Sequence, residues 1–348
     1  MSIEARRVFR LSLTVALALA IAYAMASPLP HLAPIFAWLL TMEPKKPLGL
    51  KGLLVLVAVT ALTTGTGLLI IPLLSDYPAT AILVVLVALF FSTYISVSLG
   101  QVTVGMLLTI GITLISAVGS VSFVAATAVI DALVVAIVIS TLCQWLVYPL
   151  FPEDAGSLEP PAEKVGNEQA LWISLRTTLI VIPVYLVCLT NPMMYTALIL
   201  KSVSLGQQST VVDTRAAAKV LLGSTLMGGV LAILFWFALK LNVSLWMFFL
   251  WMLFIGIGVA AKIYGLRATK YSVDFWSTAL VTMLILLGPA VADSANGKDV
   301  YQAFSVRMSL LVAVALYASV TVFALDQLRN RLRKTSARLE ARSVTTAG

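Results

Sequence analysis

The chain has 348 residues, 60% of them hydrophobic and 11% charged, with a mean hydropathy of +1.02 and a formal net charge of +8. Soluble domains carry about 25% charged residues, so the excess apolar surface must face lipid. The basic residues recur in short loops and form no single patch, which excludes a nucleic-acid partner. One histidine excludes a multi-histidine metal cluster, and Cys143 and Cys188 lie in apolar runs and read as buried free thiols.

The N-terminus opens Met1-Ser-Ile-Glu-Ala-Arg-Arg-Val-Phe-Arg10 and continues as an apolar run to Ala26. Its basic start and Ala24-Met25-Ala26 resemble a signal peptide. The run of about nineteen residues is nevertheless long enough to span, and it is read as an uncleaved first helix. The predicted elements that follow are a short segment at Leu32–Met42, then Leu50–Leu74, Ala79–Val97, Val104–Val118 and Phe123–Phe151. A polar, acidic linker covers 152–169. The second set is Leu171–Leu189, a short segment at Met193–Leu205, Ala216–Leu239, Val243–Ala261, Val273–Val291 and Tyr301–Leu325.

The two sets share a rhythm. Each opens with an arginine just inside its first helix (Arg10, Arg176). Each turns at proline (Ser27-Pro28-Leu29-Pro30, Asn191-Pro192), continues into a short apolar segment, and then meets a basic loop (Lys45, Lys46 and Lys51; Arg215 and Lys219). The predicted fold is all-α and polytopic, with about twelve transmembrane helices as two parallel six-helix repeats at 1–151 and 170–327 and a basic tail at 328–348. An even number of helices per repeat gives both halves one orientation, with the symmetry axis along the membrane normal. Lysine and arginine concentrate on the side of the termini and the linker, which predicts that those are cytoplasmic and that the membrane is the cell inner membrane. The tail continues the last helix as a basic extension against anionic headgroups.

Ionisable residues within spans usually face the bundle interior or a water-filled cavity. Lys201 sits inside the short second helix of the second half, where its long side chain either snorkels to the interface or faces a cavity. Arg307 presents the same alternative near the external face. Asp131 cannot snorkel far, and an ion pair with Arg307 competes with a functional role for it. Asp274 starts the eleventh span. The paired short segments, marked by Pro34 and by Asn191-Pro192, point either to a central binding site or to tilted helices. Glycines at 65, 67, 223, 228, 229, 256 and 258 read as close helix packing, and the aromatics between Phe235 and Phe254 either as an interfacial belt with packing or as the lining for a planar substrate. His31 is expected at the surface. No phosphate loop, HExxH or GxSxG occurs, and no cofactor or catalytic activity is expected.

Several stretches resemble a known family. They are Arg10-Leu-Ser-Leu-Thr-Val-Ala-Leu-Ala-Leu-Ala, the proline turn followed by Ala33-Pro-Ile-Phe-Ala-Trp-Leu-Leu-Thr, Arg215-Ala-Ala-Ala-Lys219 leading to Gly223-Ser-Thr-Leu-Met-Gly228, Leu146-Val-Tyr-Pro-Leu-Phe-Pro152, and Arg329-Asn-Arg-Leu-Arg-Lys334. Together they look like the fusaric acid resistance and aromatic acid exporter superfamily, in a compact branch without the cytoplasmic helical domains of larger relatives. The resemblance implies proton-coupled efflux of small organic (aromatic) acids with a periplasmic membrane-fusion adaptor, and leaves a homo-oligomer open. On this reading Lys201, Arg307, Arg176 and Arg10 attract the substrate carboxylate. Asp131 and Asp274 couple protons, and Arg215 and Lys219 form a cytoplasmic mouth that concentrates anions. The alternatives are a transporter of another twelve-helix superfamily and a non-transporting membrane scaffold or assembly subunit. The scaffold predicts that intramembrane charges pair with each other and leave no cavity.

Overall fold

The structure is a computed structural model that describes residues 1–154, 166–208, 214–297 and 299–346, leaving aside the side chains of 193, 194, 204–208, 214–219, 330 and 332–346. The described chain is helical throughout. In order the elements are α1 (Ile3–Ala24), α2 (Leu32–Met42), α3 (Leu50–Asp76), α4 (Pro78–Ser98), α5 (Val102–Gly119) and α6 (Phe123–Val147). Then come α7 (Asn167–Thr190), α8 (Pro192–Gln208), α9 (Thr214–Leu241), α10 (Leu245–Ile263), α11 (Val273–Ala295) and α12 (Val300–Thr346). Ten of these are long and apolar enough to cross a membrane, and α2 and α8 are shorter. The protein is an all-α, multi-pass membrane protein.

Helix ends follow local chemistry. Ser2, Ser122, Ser244 and Ser272 cap α1, α6, α10 and α11 by accepting from a backbone N–H three residues on. Helices α4 and α10 each run out at a glycine in the left-handed region, Gly100 (φ 68) and Gly265 (φ 77), a conformation in which a Cβ would be strained.

The order of neighbours recurs between the two sets. Helix α1 packs on α2 and α6, as α7 packs on α8 and α12, and α3 packs on α5 as α9 packs on α11. The two sets meet reciprocally, α1 against α10 and α7 against α4. Helices α5 and α11 are the most enclosed, with 72% and 78% of their apolar windows buried, whereas α3 shows only 22% and presents Leu54, Val55, Leu62 and Leu69 to lipid.

Close approach holds α3 to α5 and α9 to α11. A Cβ at Gly67 would fall on the carbonyl oxygen of Gly111, and one at Gly228 would lie 2.6 Å from the carbonyl oxygen of Ala279. At Gly111–Ile115 α5 widens into one π turn, the kind of local bulge that recurs at functional sites. The expectation of close packing does not extend to Gly65 and Gly258, which have nothing within 4 Å of a built Cβ.

Helix α2 has eleven residues, about 16 Å of rise against about 30 Å of hydrocarbon. The chain after it is irregular as far as Gly49. This stretch carries the exposed Glu43–Lys45 pair and so lies at the basic interface, and side chains of neighbouring helices satisfy its carbonyls there. Gln144 Nε2 donates to the Leu40 carbonyl at 2.9 Å, the Tyr264 hydroxyl to the Met42 carbonyl at 2.6 Å, and Trp145 Nε1 to the Leu48 carbonyl at 2.6 Å. Two of these donors come from α6 and one from the end of α10.

Inserting a methyl at Gly111 overpacks a backbone-to-backbone crossing, a change that costs about 1–3 kcal/mol. Gly111→Ala is expected to lower the apparent Tm of the purified protein in detergent by several degrees, while Gly65→Ala leaves it unchanged. Equal shifts would contradict the α3–α5 crossing.

Candidate functional site

Helix α11 is the pole around which the interior polar groups collect. Thr278 Oγ1 donates to the Asp274 carbonyl at 2.7 Å and Thr282 Oγ1 to the Thr278 carbonyl at 2.6 Å, so hydroxyls on one face are occupied by the turn behind them. On the same helix the Ser277 hydroxyl accepts from Trp38 Nε1 of α2 at 2.8 Å. Gly288 takes the imidazole of His31, for which a Cβ would leave no room. His31 is therefore 6% exposed, which corrects the expectation of a surface histidine. The notch at Gly288, remote in sequence, draws the ring inward.

Lys201 reaches this pole from α8. Proline at the first position, Pro192, starts that helix where its missing N–H costs nothing, and Lys201 lies about 13 Å further along. Its side chain is wholly enclosed, and Nζ donates to Thr282 Oγ1 at 2.6 Å. Thr282 is nine residues past the start of α11, a helix of 23 residues, so the amine sits near mid-depth. Ser202 beside it and Ser224 and Thr225 on α9 are also buried.

A charged lysine has three hydrogens to donate, and Thr282 accepts one. Among the described residues no carboxylate lies within ion-pair distance of Lys201. Enclosing an ammonium without a counter-charge is strongly unfavourable. Such a site is relieved either by loss of the proton or by an anion beside the amine. Snorkelling is not what the side chain does.

Arg10, Arg176 and Arg307 lie in ion pairs. Arg10 is 2% exposed and pairs with Glu153 at 2.6 Å; Arg7 also binds Glu153, and Arg6 pairs with Asp154 at 2.6 Å. Arg10 further donates to the Phe151 carbonyl at 3.2 Å and lies over the Tyr148 ring. The basic start of α1 is thus clasped by the chain leaving α6. Arg176 is placed similarly, 3.5 Å from Asp326, with Arg329 over the ring of Trp172. Arg307 pairs with Asp293, not with Asp131.

Of the candidate acids, Asp131 is exposed. It lies on α6 in line with the exposed Val124, Val135, Leu142 and Leu146 and opposite Ser140, whose hydroxyl binds the α2 backbone. That face is turned to lipid, away from Lys201. Asp274 is exposed in the first turn of α11, where a carboxylate complements the helix dipole. The side chains of Arg215 and Lys219 lie outside the described residues.

Sequence reasoning missed the partners Thr282, Glu153, Asp293 and Asp326. A signal existed for the first: Thr278 and Thr282 stand four apart in an otherwise apolar span, on one helical face.

Removing one member of a buried pair strands the other. Glu153→Gln is expected to destabilise the protein by about 3 kcal/mol, seen as a large fall in apparent Tm. Glu43→Gln, whose partner Lys45 is exposed, leaves the midpoint in place. An unshifted midpoint for Glu153→Gln would contradict the clasp.

Residues 7–147, the stretch from the basic start of α1 to the end of α6, match the model of a family described as a protein of unknown function (DUF2955). No curated protein and no solved structure matches the chain. The first six helices are similar to that family.

Proposed function

We propose that this chain is a secondary transporter of small organic anions, in which the Lys201 amine with Thr282 is the central anion site. The reading places it in the cell inner membrane with both termini cytoplasmic, as the distribution of basic residues suggests. Coupling to protons, efflux as the direction and a periplasmic adaptor follow from the resemblance to the aromatic acid exporter superfamily and belong to the same proposal.

One observation carries it: a fully enclosed lysine near mid-depth whose one hydrogen-bond partner among the described residues is a hydroxyl. A carboxylate entering beside it would supply the missing charge and accept the remaining N–H groups, at the depth where transporters place their substrates. The enclosure corresponds to a state closed to both sides, which alternating access requires at some point of its cycle. Arg10, Arg176 and Arg307, already neutralised by acids of the chain, are structural supports on this reading.

A second reading has its own support. The pairing of those three arginines with Glu153, Asp326 and Asp293 is what a non-transporting scaffold would also display. The two separate in proteoliposomes loaded with labelled aromatic and aliphatic carboxylates under an imposed pH gradient. The transporter reading expects flux of at least one acid, lowered at least tenfold by Lys201→Met and partly kept by Lys201→Arg. Wild-type rates in Lys201→Met would overturn the site, and no flux of any acid in the wild type would favour the scaffold.

A further inference from the structure

A pocket of about 420 Å³ opens between α4, α7 and α12 at the basic side of the bundle, lined by Phe90, Glu168, Leu171, Trp172, Leu175 and Arg329. Its lining is graded in depth. Glu168 lies in the first turn of α7, and Arg329 stands where the apolar span of α12 ends. Both are therefore at headgroup level. Leu175 is two turns deeper along α7, and Phe90 lies about 12 Å inside the end of α4, so the lower wall is apolar. Trp172 sits between these levels, with the Arg329 guanidinium 5.3 Å from its ring centroid. Its Nε1 is buried with no hydrogen-bond partner among the described residues.

We infer that this pocket binds one phospholipid of the basic-side leaflet, and that its headgroup is the zwitterion phosphoethanolamine. The Arg329 guanidinium is a donor suited to a phosphate oxygen. Glu168 accepts from a primary ammonium and opposes a headgroup of net negative charge. The acyl chains lie on Phe90, Leu171 and Leu175. A water-soluble phosphate would meet Glu168 and leave the apolar wall empty. An anionic phospholipid would fill the wall but face the same carboxylate.

Native mass spectrometry of the delipidated full chain, titrated with phosphatidylethanolamine, phosphatidylglycerol or phosphatidylcholine, tests this. The wild type is expected to favour phosphatidylethanolamine over phosphatidylglycerol by about fivefold, the weight of one charge at the membrane surface. Glu168→Gln should level that preference and Glu168→Lys should invert it. Arg329→Ala should weaken binding of all three lipids, with Arg329→Lys restoring part of it. Glycerophosphoethanolamine, which lacks acyl chains, should fail to compete at equal concentration. Equal occupancy by all three lipids in the wild type, an unchanged preference in Glu168→Lys, or full competition by the chain-free headgroup would each overturn the inference. Glu168 is exposed, so its variants read recognition and do not threaten folding.

Discussion

Hydrocarbon offers no hydrogen-bond partner, and this constraint governs the rest of the structure. A polar group at membrane depth is costly unless it finds its partner inside the protein. Helix α2 shows how the protein supplies partners. Its last turn and the irregular chain beyond it, at the basic interface, leave carbonyls with no partner inside the helix. Gln144, Trp145 and Tyr264 reach them, and because Tyr264 comes from the end of α10 the repair also ties the first set of helices to the second. The same constraint explains why Arg10 meets Glu153 and Arg307 meets Asp293. A guanidinium that remains charged is tolerated there because a carboxylate comes with it.

Asp131 and Lys201 differ from those paired arginines. Asp131 faces lipid on the outer side of α6, where a carboxylate near the centre of a span costs about 3 kcal/mol. Lys201 is enclosed, and among the described residues its partner is a threonine hydroxyl. The first lies away from the interior and the second at its centre. Among the described candidate cations Lys201 alone combines enclosure and mid-depth with no carboxylate partner, which is why the functional reading rests on it and not on the arginines.

Much of the fold was legible in the sequence because it depends on length and apolarity, which are local. The apolar runs predicted the long spans to within a few residues, and the proline turns located the two short helices, with α8 extending to Gln208 rather than Leu205. Which face of a helix points inward was not legible. Helix α6 is apolar nearly all round, so nothing in its periodicity says that Asp131 looks outward. Ion-pair partners were illegible for a related reason: Arg10 and Glu153 are 143 residues apart, and only the return of α6 beside α1 brings them together. His31 shows the same limit, since its burial depends on a glycine on a distant helix.

The account's central claim is that Lys201 is an anion-binding centre. Direct binding of a labelled carboxylate to the purified protein tests it, without requiring a transport cycle. The account predicts one saturable site per chain, lost in Lys201→Met and weakened in Thr282→Val. Binding should survive the double change Arg307→Gln with Asp293→Asn, which removes both charges of a structural pair. Saturable binding that persists in Lys201→Met and vanishes in the double variant would contradict it.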